Sequence, residues 1–147
     1  KLKMEKPKYI KKNISIDSFI GNWINSGADH FVVETSNFNY DFLLRAGKKL
    51  RFHDVFKPNG ININFYKKNT DGSIKVTTYE KGVEKIMDSC GSGSTAAAFH
   101  VYQHINKPLL INLHNPSSVL QLSIKKNWDN VWLSGPACLS SLNQIII

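Results

Sequence analysis

Residues 94–99, Ser94-Thr95-Ala96-Ala97-Ala98-Phe99, form a run of small and apolar side chains directly after a glycine-rich turn, within the stretch DSCGSGSTAAAFH at 88–100. Alanine is the strongest helix former, so the run predicts a helix. Its first turns are apolar on nearly every face, and a helix of that kind is stable only when other elements surround it. The chain around it must therefore supply the cover.

The same stretch carries chemistry. Cys90 stands immediately before Gly91-Ser92-Gly93. The glycines let the backbone turn tightly and come close to a ligand, and Ser92 or Ser94 is placed to cap the helix. Unpaired N–H groups at a helix start, with the helix dipole, favour an anion such as a carboxylate. The same field favours a thiolate at Cys90. A thiolate beside a carboxylate seat is a base positioned to take a proton next to that carboxylate. Two plainer readings stand beside this one. Gly-Ser-Gly-Ser is also a linker composition, and a lone cysteine is commonly packing. A linker, however, would not run at once into an apolar helix.

The rest of the chain reads mainly as strands. Residues 1–13 are basic and predict a short edge strand and a loop, and Ile14, Ile16, Phe19 and Ile20 predict an apolar patch with one helical turn after Asp17 or Ser18. A turn at Gly27-Ala28-Asp29 precedes a strand at Phe31-Val32-Val33. Asp41 is placed to cap a helix through Phe42, Leu43, Leu44 and Ala46 that breaks at Gly47. Ile61, Ile63 and Phe65 alternate with Asn62, Asn64 and Tyr66, the period of a half-buried strand, and Thr70-Asp71-Gly72-Ser73 turns it into a return strand at 74–79. A loop from Glu80 to Ser89 leads to the central helix, which is expected to run to about Asn106 before Pro108. Strands follow at 109–113, 119–124, 131–134 and 137–147. The sum is an α+β fold: a strongly curved, mostly antiparallel sheet around one small-residue helix, in a single domain over 1–147.

Composition narrows the function. At 147 residues the chain can bury a real core as one domain. No stretch approaches the roughly 20 apolar residues of a membrane span, so no membrane role is expected. The lysine-rich start is followed by no apolar signal region. Cys90 and Cys138 make no CxxC pattern, which points to a reduced, cytoplasmic setting with Cys138 as core packing. His100 and His104 share i, i+4 spacing, but they lack the glutamate of HExxH and a third ligand, so no metal is expected. The net charge of +8 gathers in Lys1, Lys3, Lys6, Lys8, Lys11 and Lys12, without interleaved aromatics. That reads as a solvated face, not a nucleic-acid surface.

Several stretches then fall into one family's order. MEKPKY, NSGADHFVVE, PNGININF, YEKGVEKIMDSCGSGSTAAA and VWLSGPA resemble, in sequence and spacing, the segments of the C-terminal domain of the diaminopimelate epimerase family. These are pyridoxal-phosphate-independent amino-acid epimerases. The resemblance spans Met4 to Ala137 and implies the family's fold. It implies two cysteines facing each other across the substrate's α-carbon, one taking the proton as the other returns one, with helix starts holding the α-carboxylate. Cys90 matches the C-terminal member of that pair, and Gly91 and Ser92 match the carboxylate-binding backbone. His30 and Glu80 match polar residues beside the pair. Asn62 and Glu80 match positions that read the far end of diaminopimelate, and Lys81 stands where the family has an arginine. No metal, pyridoxal phosphate or nucleotide is implied.

Three departures accompany the resemblance. The family's N-terminal domain, with its own cysteine in a CGNG-type motif, is not in this sequence. The chain begins at Lys1 and reads as the C-terminal half-site of a two-domain enzyme, completed by a longer chain or a partner subunit. A surface shaped for that partner is expected to self-associate, as in a homodimer, when left uncovered. Lys81 offers a point charge where arginine grips a carboxylate with two parallel bonds. Ala28 and Asp29 replace the family's usual Asn-Pro before His30. The first reading is thus half of a diaminopimelate epimerase serving lysine and cell-wall precursor synthesis. The alternatives are a racemase of another amino acid, such as histidine or hydroxyproline, and an inactive remnant or binding module.

Overall fold

A computed structural model describes residues 1–107 and 109–137. The strand expected over 137–147, Cys138 and the helix stop at Pro108 lie outside the described residues or at their edge. Two long strands come first after the short β1 (Leu2–Met4): β2 (Lys8–Ile16) and β3 (Phe19–Asn25) pair antiparallel. The apolar patch 14–20 is therefore a hairpin and not a helical turn. Asp17, with φ of 51°, takes the left-handed conformation that closes it. A second turn over 26–28 leads into β4 (Asp29–Glu34), where Phe31, Val32 and Val33 are buried as expected.

β4 connects to β5 (Asn62–Lys68) in parallel, and such a connection needs a crossover. Helix α1 (Tyr40–Arg51) supplies it. Asn39, rather than Asp41, caps this helix, its side chain accepting from Phe42 N at 3.1 Å. Asp41 lies instead in the first turn and Lys48, Lys49 and Arg51 in the last, matching the helix dipole. Gly47 does not break the helix. It faces the core, where an alanine Cβ would come within 2.6 Å of Tyr79 Cβ, so the glycine is what lets helix and sheet touch.

β5 is buried on both faces, contrary to the half-buried reading. Ile61, Ile63 and Phe65 pack with Leu43, Leu50, Phe56 and Tyr79 on the α1 side. Asn62, Asn64 and Tyr66 point the other way, toward the second helix. β6 (Ile74–Glu80) returns antiparallel, and the expected loop 80–89 contains a short strand, β7 (Lys85–Met87), paired to β6.

Helix α2 (Gly91–Tyr102) is the small-residue helix, and Gly93 through Ala98 are all buried. It contacts β3, β4, β5, β6, β8 and β9, so the sheet wraps it. It ends four residues before Asn106 because its last carbonyl finds other donors. Tyr102 O accepts from Trp128 Nε1 at 2.9 Å and from Ile105 N at 3.0 Å. β8 (Leu109–His114), β9 (Val119–Ile124) and β10 (Val131–Ser134) finish the described chain. The sheet runs β1-β10-β9-β8-β6-β5-β4-β3-β2 with β7 off β6, and it is not closed. Among the described residues only the β4·β5 and β6·β8 contacts are parallel. No described helix is long and apolar enough to cross a membrane.

Candidate active site

Three strands and one helix start converge on a polar spot. The parallel register sets His30 of β4 beside Asn62 of β5, and the antiparallel register sets Asn64 of β5 opposite Thr78 of β6. The start of α2 lies across these side chains. Gly93 makes the approach possible: an alanine Cβ there would overlap Asn64 Nδ2 and sit 3.0 Å from Thr78 Oγ1. The second glycine of the CGSG run is thus the residue that brings the helix start onto the strands.

Cys90 is the N-cap of α2, and its side chain makes no capping bond. Contrary to the expectation from sequence, neither Ser92 nor Ser94 caps the helix. Ser94 Oγ donates to Asn115 Oδ1 at 3.0 Å, and Ser92 Oγ turns to His30. Cys90 N donates to the same Asn115 oxygen at 3.4 Å. The first helical N–H to find a backbone partner is that of Ser94, on Cys90 O at 2.9 Å. Among the described residues the N–H groups of Gly91, Ser92 and Gly93 have no acceptor, the open donor set of a helix start. Cys90, Gly91 and Ser92 are all half-buried, and Gly93 is buried.

Behind them runs a chain of side chains. Cys90 Sγ lies 3.8 Å from Ser92 Oγ, Ser92 Oγ 3.0 Å from His30 Nε2, and His30 Nδ1 2.7 Å from Asn64 Oδ1. Asn64 Nδ2 donates to Thr78 Oγ1 at 2.6 Å. Burial pulls the His30 pKa down to about 4, against the smaller opposing effects of the Asn64 hydrogen bond and the Asp29 charge. His30 is therefore neutral at neutral pH. Ser26 Oγ donates to Ser92 O at 2.8 Å and ties the β3–β4 turn to the helix start.

Asn62 is buried, and its amide works on the backbone: Nδ2 donates to Asp29 O at 2.9 Å and Oδ1 accepts from Lys81 N at 2.9 Å. One N–H and one lone pair of the amide remain for a ligand. The Glu80–Glu84 turn that it anchors is also held from behind. Arg51 Nε and Nη2 each lie 3.2 Å from Glu84 Oε1, which also accepts from Gly82 N at 3.0 Å. Glu80 is half-buried and Lys81 exposed, and among the described residues neither forms an ion pair.

The structure thus joins Cys90, Gly91, Ser92 and His30 directly, and links Asn62 to the Glu80–Lys81 turn. Sequence reading missed Asn64, Thr78, Ser26 and Asn115. The alternation that puts Asn64 on the same face as Asn62 was the available signal for Asn64. His100 and His104 do not share a helix face: His104 lies beyond the helix end, and His100 Nδ1 is 2.8 Å from Tyr9 Oη.

A family model described as diaminopimelate epimerase matches residues 22–139. The diaminopimelate epimerase of Aquifex aeolicus is 34% identical over 129 residues, covering 85% of this chain and 46% of that protein. The one from Hydrogenobaculum sp. is 35% identical over 133 residues, covering 86% and 48%. The chain therefore spans about half the length of these curated relatives. Among solved structures, a probable proline racemase from Agrobacterium radiobacter K84 superposes with a TM-score of 0.67 at 17% identity, over 98% of this chain and 52% of that one. A hydroxyproline epimerase from Agrobacterium vitis gives 0.63 at 14%, over 90% and 51%. At these identities the structures share the fold.

Proposed function

The chain belongs to the diaminopimelate epimerase family, and on that premise we propose that it carries one of the two acid–base cysteines of a pyridoxal-phosphate-independent amino-acid epimerase. The observation that supports this most is Cys90 at the uncapped start of α2, beside three N–H groups with no acceptor among the described residues. A substrate α-carboxylate bound to those N–H groups sets its α-carbon near the sulfur. One thiolate takes the α-proton, and the electron pair left on carbon spreads into the carboxylate that the N–H groups hold. A thiol on the opposite face gives its proton to that carbon. The α-carbon is inverted and the two sulfurs have exchanged protonation states.

The second cysteine comes, in this reading, from an N-terminal half like the one the longer relatives have room for, in the same chain or a separate subunit. Glu80, Asn62 and Lys81 face the far end of the substrate, and diaminopimelate, with an amine and a carboxylate there, suits that charge pattern. His30 and Ser92 position Cys90 and the bound acid. The reading carries with it a cytoplasmic location and a part in lysine and cell-wall precursor supply. One observation favours a different amino acid: Lys81 is exposed and lacks the fork that grips a carboxylate.

The test uses the complete protein with both halves, incubated with L,L-diaminopimelate in deuterated water. Deuterium at the α-carbon and formation of the meso isomer are followed by mass spectrometry and chiral chromatography. Turnover is expected, with a loss of at least about a hundredfold in Cys90→Ala and a higher kcat/KM for diaminopimelate in Lys81→Arg. Turnover of histidine or hydroxyproline alone overturns the substrate assignment. Full activity in Cys90→Ala overturns the mechanism, and no turnover of any amino acid leaves the inactive-remnant alternative standing in its place.

A further inference from the structure

The buried end of the polar chain fixes more than position. His30 and Asn64 are 0% exposed and Thr78 1%, so no solvent competes for their hydrogen bonds. In the structure Asn64 Nδ2 donates to Thr78 Oγ1 at 2.6 Å, and Asn64 Oδ1 faces His30 Nδ1 at 2.7 Å. A carbonyl oxygen can only accept, so Nδ1 must carry the hydrogen. The bare Nε2 of a neutral ring can in turn only accept, and Ser92 Oγ is the group in reach of it.

We infer that Asn64 and Thr78 hold His30 as its Nδ1–H tautomer and thereby commit the Ser92 hydroxyl hydrogen to His30. Ser92 then offers lone pairs, not a hydrogen, to Cys90 Sγ and to whatever binds at the start of α2. Asn64 is a positioning residue: it acts on the site only through His30 and Ser92. The consequence for a bound amino acid, that Ser92 receives a donor such as an ammonium or a thiol S–H, rests on the function proposed above. The tautomer itself does not. From β5, β6 and α2 the groups facing the ring are Asn64, Thr78 behind it, and Ser92, none of which titrates. The ionisable groups nearby are Asp29 on its own strand and Cys90 beyond Ser92.

The test is side-chain nitrogen NMR of the ¹⁵N-labelled chain at neutral pH, together with the rate at which iodoacetamide alkylates Cys90, followed by peptide mass spectrometry. In the native chain, His30 is expected to show a protonated Nδ1 and a bare Nε2. Asn64→Asp puts a carboxylate on the ring, favours the imidazolium, makes Nε2 a donor and frees the Ser92 hydrogen for the sulfur. Alkylation is then expected to quicken by about tenfold, the worth of one hydrogen bond to a charged group. Thr78→Val keeps the shape but releases the Asn64 amide to rotate, so the Nε2–H tautomer is expected to appear. A native His30 with hydrogen on Nε2, or both variants keeping the native tautomer and alkylation rate, overturns the inference. A chain with the expected tautomer whose complete protein turns over no amino acid would overturn the proposed function alone.

Discussion

Replacing Gly93 with alanine tests whether the helix start is seated on Asn64. Alanine favours a helix over glycine by up to about 1 kcal/mol, so on propensity alone the change stabilises. The new Cβ, however, overlaps Asn64 Nδ2 and lies 3.0 Å from both Asn64 Cγ and Thr78 Oγ1. Asn64 is fully buried, on a strand packed on both faces, and has nowhere to move without giving up its bonds to His30 and Thr78. Each buried polar group left unmatched costs about 1–3 kcal/mol. Two such losses outweigh the propensity gain, and a net destabilisation of about 3 kcal/mol is expected. In urea unfolding this lowers the midpoint by roughly 1.5 M for an m-value of about 2 kcal/mol/M. The control is Asn64→Ala, which removes the obstacle. In that background Gly93→Ala should cost nothing, giving a coupling energy of about 3 kcal/mol in the double-mutant cycle. Additive effects, or a Gly93→Ala chain as stable as the native one, refute the reasoning.

Three further outcomes follow from the same structure. His30 binds its proton at about pH 4 when folded and near its ordinary value of 6.5 when unfolded. Folded-state stability is therefore whole above about pH 6.5, falls as the pH drops toward 4 and then levels. The loss is a few kcal/mol by linkage, and it should vanish from the pH profile of His30→Gln. Arg51→Met strands the Glu84 carboxylate, one oxygen of which is buried with no partner. Because Glu84 is 35% exposed, the cost is discounted to about 2 kcal/mol; proteolysis within 80–84 should quicken, and adding Glu84→Gln should restore part of the stability. Asn39→Ala removes the α1 cap and should cost about 1 kcal/mol in thermal unfolding, whereas Asp41→Ala should cost less.

Much of the fold was legible along the chain because it depends on local pattern. The all-apolar face of residues 94–99 required a surrounding sheet, and turns at 26–28 and 70–73 separate strands within a residue of where composition puts them. The misses share a cause. Gly47 reads as a break, and only its contact with Tyr79 explains why a helix keeps it. Asn62 and Asn64 read as the wet face of a strand because polarity stood in for exposure; in the fold they are buried and hydrogen-bonded. The short β7 was read as loop because its three residues pair with a strand already formed and need no signal of their own.

The order of residues by itself determined that Cys90 precedes a helix start and that this helix is enclosed, since both follow from what neighbours in the chain do to backbone and solvent. Which partners meet that start was decided only by tertiary structure. His30, Asn64, Thr78 and Asn115 come to it from strands and a turn 14 to 85 residues apart in sequence, through strand register and one close approach at Gly93. Contacts at such separations depend on how sheets pair and on the room a missing side chain leaves, and neither quantity is written in any local stretch.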